Sequence, residues 1–238
     1  MLSVGSYYDL RTREVDDRLW MAFGAVGLFL YAAEYVLGSG APAADVQMGL
    51  ISVSLTAAIA VALYRYGFFG GADAKALMAV SVILPVYYPS SNFYVHPITG
   101  ITVLTNAVLF ALVVPLYNAL SNLVRAARGE RIFEGFEEER MWRKVLACFV
   151  GTPSNKQKIH HHSVIECSVD EGIKKFSLRL NYDDDACGSS GNKSSYSRAP
   201  TDSQIWLSQN LPFLVFMLAG FLATVLFGDM LLQVLLRH

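Results

Sequence analysis

Two acidic segments carry the residues with chemistry to offer. In "YYDLRTREVDDRLW", residues 7–20, Asp9 is followed by Arg11, Arg13, Glu14, Asp16 and Asp17; in "YRYGFFGGADAKALMAV", residues 64–80, Asp73 follows Gly70, Gly71 and Ala72 and precedes Lys75. Both aspartates stand at the edges of apolar runs, where an ionisable group is costly and is by default a functional candidate. Two carboxylates held close in a partly dry site cannot both ionise easily, so their proton affinities split and leave one acid and one base near neutral pH. Such a pair activates water: the base takes a proton from the water as it attacks a peptide carbonyl, and the acid protonates the carbonyl oxygen. Glycines beside an aspartate let backbone or substrate approach without a Cβ in the way. The residue types alone also allow a plainer reading, in which both are charged loop ends of a membrane protein.

The elements that must position these residues follow from composition. Of 238 residues, 53% are hydrophobic and 16% charged, an apolar excess over ordinary soluble domains. A formal net charge of −1 gives no reason to expect a nucleic-acid partner. A bilayer core about 30 Å thick needs roughly 20 apolar residues in a helix. Four stretches come near that: Leu19 to Leu37, Gln47 to Tyr64, Ile98 to Leu120 and Leu211 to Leu236. A fifth, Ala76 to Tyr88, has 13 residues and contains Pro85, so it must be tilted, extended into its flanks or shielded by neighbours. The expected fold is all-α, a polytopic transmembrane bundle of about five spans with a cytoplasmic polar insertion. Its parts are residues 1–120, membrane helices carrying both aspartates; residues 121–209, polar; and residues 210–238, a C-terminal membrane helix. Within the polar part, "RAARGERIFEGFEEERMWRK" reads as an amphipathic helix hugging the interface and "NYDDDACGSSGNKSSYSRAPTDS" as a flexible loop.

Loop charge orients the bundle, because cytoplasmic loops retain Lys and Arg. Arg11, Arg13 and Arg18 precede the first span, Arg65 and Lys75 lie between the second and third, and Arg125, Arg128, Arg131, Arg140, Arg143 and Lys144 follow the fourth; residues 38–46 and 89–97 contain none. The alternation places both aspartates at the cytoplasmic face of a multi-pass protein of the cell membrane. A secretory signal peptide ending at "APAA", residues 41–44, is the competing reading, opposed by the length of the first apolar run and by the later spans.

"GGADAK" with "DLRTREVDDRLW" upstream resembles the archaeal preflagellin and prepilin peptidases, membrane aspartyl proteases with a G-x-G-D motif. Asp9, Arg11, Arg13, Val15 and Trp20 fit the family pattern around its first aspartate, and Gly70, Asp73 and Lys75 fit G-x-G-D-x-K, with Ala72 in place of the second glycine. "TNAVLFALVVPLYNALSNLVRAARG", with Asn106 nine residues before Pro115, resembles the penultimate helix, and "IWLSQNLPFLVFMLAGFLATVLFGD" the last. The resemblance implies Asp9 and Asp73 as the catalytic pair, Gly70, Gly71, Ala72, Lys75 and Arg11 in support, and a flagellin or pilin-like precursor with a short basic leader as substrate. Glu14, Asp16 and Asp17 are candidates for attracting that leader, or else helix-start carboxylates favoured by the dipole. Lys75 contacts lipid headgroups or lowers the Asp73 proton affinity. Neighbouring classes are a presenilin-like intramembrane protease and a non-enzymatic transporter or assembly scaffold.

Family members carry an apolar helix before the first catalytic aspartate, whereas eight residues, "MLSVGSYY", precede Asp9 here; as a helix they span about 12 Å. The expectation is a start upstream with a sixth, N-terminal span, or else a chain that lacks the helix that should hold Asp9 in place. No cofactor or metal is expected: adjacent His160, His161 and His162 cannot all face one ion, and Cys148, Cys167 and Cys187 form no C-x-x-C pair. Glu34 and Asp229 fall toward the outer face in structural roles. The cysteine-rich domain that adds N-methyltransferase activity in bacterial relatives is not found in this sequence, so peptidase activity alone is expected.

Overall fold

A computed structural model of the chain describes residues 1–12, 14–37, 43–88, 96–154, 162–170, 173–176, 205–209 and 211–236. It falls into two compact units, residues 1–111 with 212–238, and residues 112–211. The first is helical: α1 (Leu2–Arg11), α2 (Asp17–Leu37), α3 (Ala43–Arg65), α4 (Gly71–Ile83), α5 (Thr99–Ala111), α8 (Phe213–Phe227) and α9 (Met230–Leu236). The second holds α6 (Val113–Ala127) and α7 (Met141–Val150) with five short strands: β1 (Gly151–Ser154), β2 (His162–Val164), β3 (Glu166–Asp170), β4 (Ile173–Phe176) and β5 (Ile205–Gln209).

Helix α4 is the centre of the first unit and packs against α2, α3, α5 and α8. Its small residues make this possible: Ala74, Ala76, Ala79 and Ser81 are buried with Leu77 and Val80, so neighbouring helices close in on several sides. The helix ends one residue before Pro85, at Leu84, because proline disfavours helical geometry in the residue preceding it. Of the three ways for a 13-residue run to exist in a membrane, this is shielding by neighbours. Outward faces are apolar: Met21, Leu28, Phe29 and Leu30 on α2 and Leu50 and Ile51 on α3 are exposed, far more apolar surface than water tolerates on a monomer.

Among the described residues, two helical stretches are long and apolar enough by length and composition to cross a bilayer, Asp45–Arg65 and Thr99–Ala127. Pro85 shortens α4, and the last apolar run is divided into α8 and α9 at Gly228, whose φ of 77° is a left-handed conformation that glycine alone adopts at no cost. The break frees backbone groups that must be satisfied internally. Asn106 does this from α5: its Nδ2 donates to the Gly228 carbonyl at 2.9 Å and to Thr224 Oγ1 at 3.0 Å, and its Oδ1 accepts from the Met230 N–H at 3.1 Å. Asp229 caps α9 by accepting from the Leu232 N–H, and it also accepts from Thr105 Oγ1, which gives this buried carboxylate the structural role expected of it.

One correction to the expected fold is that the polar insertion is not all-α. Strand β5 pairs antiparallel with β1 and β2 in the order β1-β5-β2, and β3 pairs antiparallel with β4. An aromatic core holds the unit: Phe136 stacks on Phe176 with centroids 4.1 Å apart, and Phe133 on Trp206 at 5.5 Å. Two buried carboxylates tie the elements together: Glu139, in a turn, accepts from Arg143 and from the Phe176 N–H of β4, and Glu166 of β3 accepts from the Trp206 N–H of β5. The amphipathic helix occupies residues 141–150, while residues 128–140 are mostly turns. The 181–203 loop, His160, His161 and the side chains of Glu34 and Cys167 lie outside the described residues.

Asn106→Leu leaves the α8–α9 break without its partners. Unfolding in detergent, followed by circular dichroism, is expected to show a loss of about 2–3 kcal/mol, and an unchanged midpoint would remove Asn106 from this role.

Candidate active site

Asp9 is carried by the last turn of α1 and is half-buried. The helix is anchored by burial of Leu2, Gly5 and Ser6, and the Ser6 hydroxyl donates to the Leu214 carbonyl of α8 at 2.9 Å. Thr12 closes it, its N–H and Oγ1 reaching the Tyr8 carbonyl at 2.8 and 2.9 Å. Five residues later α2 begins, capped by Asp16, whose Oδ1 accepts from the Arg18 N–H at 2.9 Å.

Asp73 is the third residue of α4, with Gly70 at the N-cap. Its Oδ2 accepts from the Gly70 N–H at 3.1 Å, the return half of a capping box. The Asp73 carboxyl, which precedes the apolar run from Ala76, is raised from the ordinary 3.8 to about 6. Burial is the largest cause, the Gly70 N–H opposes it, and the Asp9 charge raises it further. The two aspartates, 64 positions apart in the chain, thus lie within electrostatic reach of each other.

The three residues before Asp73 behave differently. A Cβ on Gly70 would stand 3.1 Å from Asp73 Oδ2, tighter than ordinary contact, so the carboxylate would have to give by a few tenths of an ångström. A Cβ on Gly71 would meet nothing nearer than Tyr64 at 3.9 Å. Ala72 packs against the hydrophobic core of the unit, and the residues at 70 to 72 need no left-handed backbone. The substitution of Ala72 for the motif's second glycine is therefore accommodated.

Lys75 is paired: its Nζ lies 2.7 Å from both carboxylate oxygens of Asp17, joining the start of α2 to that of α4. No spacing rule signals such a pair across 58 positions. Of the three acids considered for attracting a leader, Asp17 is held by Lys75, Asp16 caps α2, and Glu14 is exposed. Arg11 is also exposed and donates to the Tyr7 hydroxyl at 2.8 Å. The site can do acid–base chemistry: one carboxyl that keeps its proton up to about pH 6, within electrostatic reach of a second carboxylate, at two helix ends.

Two family models match the chain in succession. The one described as Type IV leader peptidase family covers residues 1–116, both aspartates included, and the one described as Archaeal Peptidase A24 C-terminus Type II covers residues 143–230. The chain is 24% identical over 251 residues to a preflagellin peptidase of Methanocaldococcus jannaschii, spanning 99% of this chain and 94% of that protein. It is 21% identical over 247 residues to a preflagellin peptidase of Methanococcus voltae, spanning 99% and 95%. With both models in chain order and relatives aligned end to end, the chain belongs to the type IV leader peptidase family, Peptidase A24.

Proposed function

We propose that the protein is a membrane aspartyl endopeptidase that removes the basic leader from a flagellin or type IV pilin-like precursor at the cytoplasmic face, with Asp73 and Asp9 as its catalytic pair. The observation that carries this is the raised proton affinity of Asp73, to which burial and the Asp9 charge both contribute. The printed names of the two relatives support the class of substrate. The alternation of Lys and Arg between loops supports a five-span bundle in which residues 121–209 are cytoplasmic.

In this mechanism Asp73 enters as the acid and Asp9 as the base. A water attacks the scissile carbonyl carbon while Asp9 takes one of its protons, and the Asp73 proton passes to the carbonyl oxygen, giving a neutral gem-diol. Asp73 then recovers a proton from one diol hydroxyl, Asp9 gives its proton to the leaving nitrogen, and the C–N bond breaks. Each carboxyl ends as it began. Gly70 keeps the Asp73 carboxyl in place, and the Asp17–Lys75 pair joins the two helix starts beside it.

The test is cleavage of a precursor bearing a basic leader by membranes containing this chain. Asp9→Asn and Asp73→Asn are each expected to reduce cleavage by about 10²–10⁴-fold while precursor binding is retained. Cleavage by either variant at the parental rate would end the assignment, as would a scaffold's assembly role surviving with no cleavage by the parent. The working form needs a proton on Asp73, so kcat/KM is expected to fall about tenfold per pH unit above about 6. A profile that rises through that range would give Asp73 the base role instead.

Stability separates loss of chemistry from loss of fold. The folded pKa of Asp73 is raised, so its ionised form is disfavoured by the fold. That cost is absent below about pH 4 and fully developed above about pH 6. Asp73→Asn is therefore expected to be more stable than the parent by about 2–3 kcal/mol at pH 7.5, with the difference vanishing at pH 4, in thermal unfolding in detergent.

A further inference from the structure

Helix α7 has its charges on the wrong side for a helix in water. Met141, Trp142, Val145, Leu146, Phe149 and Val150 occupy one half of the helical wheel and are all exposed, Met141 at 73%, Trp142 at 55% and Val145 at 53%. The opposite half carries Arg143, Lys144, Ala147 and Cys148, and it faces the unit's own core. Arg143 is consumed there by Glu139 at 2.9 Å and the Phe176 carbonyl at 2.7 Å, and the Lys144 ammonium lies 5.8 Å from the centre of the Phe133 ring. A ten-residue helix thus turns its cations inward and presents an uncharged apolar face outward.

We infer that this face of α7 is a membrane-docking surface, seated in the headgroup–acyl boundary of the bilayer. Two observations choose lipid over other occupants. The face carries no charge or hydrogen-bonding group except the Trp142 indole N–H, which suits the boundary where tryptophan is enriched. It adjoins α6, whose side chains Asn118 and Asn122 donate to the Phe149 and Cys148 carbonyls at 3.2 and 2.9 Å. Helix α6 is the second half of Thr99–Ala127, one of the two stretches fit to cross a bilayer, and its own Leu116, Leu120 and Leu123 are exposed. The insertion is thereby held against the membrane by its own helix as well as by its chain connections.

Full-length protein reconstituted in phosphatidylglycerol vesicles tests this with Trp142 as the reporter, its share of the emission taken as the difference between the parent and Trp142→Phe. Acyl chains brominated near the headgroup end are expected to reduce that share roughly twofold, as for a ring seated about 5–10 Å into the boundary, and aqueous iodide to leave it unchanged. Quenching by iodide and not by brominated lipid would overturn the proposal. So would quenching by neither together with cross-linking of Val145→Cys chains, which would mean that a second copy covers the face. Should Trp142→Phe fold poorly, Val145→Cys gives a second reading: a membrane-impermeant maleimide is expected to label it about tenfold more slowly than Glu138→Cys, and equal labelling would again overturn the docking.

Discussion

The burial of one carboxyl at the start of α4 is the constraint on which the candidate site depends. Two influences at Asp73 favour the charged form, the positive end of the helix it begins and the Gly70 N–H at 3.1 Å. Together such effects are worth about 1–3 kcal/mol at most. The proton affinity nevertheless rises, so desolvation outweighs them, with the Asp9 charge adding to the same side. That burial comes from α4 itself, whose alanines let α2, α3, α5 and α8 pack closely around it. A longer or more polar α4 would leave the same aspartate hydrated and ordinary.

The ion pair between Asp17 and Lys75 plays a smaller part than its short contacts imply. Both side chains are about half exposed, and such pairs contribute about 0–1 kcal/mol. The packing of α2 against α4 is what holds the two helix starts together. The pair then selects one arrangement of two ends already brought close. Gly70 acts through its N–H, which donates to Asp73 Oδ2, and by leaving the volume next to that oxygen open.

How much was legible in the sequence divides by range of interaction. Apolar runs locate helices because burial or lipid contact leaves a local mark: α2 and α3 fall within a few residues of the expected spans, and α5 starts one residue after the expected start at Ile98 but ends at Ala111. The aspartates stood out because a carboxylate beside an apolar run is costly wherever the chain goes. The breaks at Pro85 and Gly228 had visible residues, but the consequence, two short helices where spans were expected, rests on Asn106 reaching across from α5. Nothing local at Lys75 names Asp17 as its partner. The strands were missed for a different reason: segments of three to five residues, such as "HSV" and "IWLSQ", are too short to establish a period of two. They are stable because Phe133, Phe136, Phe176 and Trp206 meet from distant positions.

The depth of Asp73 bears on which peptide bonds such a pair can attack. The apolar run of α4 begins three residues after it, a rise of about 4–5 Å, so the carboxyl stands at the edge of the apolar layer and not within it. A protease working at mid-membrane must unwind its substrate's helix where freed backbone groups find no water, at several kcal/mol for each group. A bond at the junction of a basic leader and an apolar segment escapes that cost. On the proposed orientation the leader stays in water, the apolar segment stays in lipid, and the residues between them are already free of helical hydrogen bonds at the segment's end. The position of the aspartates thus favours cleavage at a boundary over cleavage within a span, from the energetics of the substrate alone.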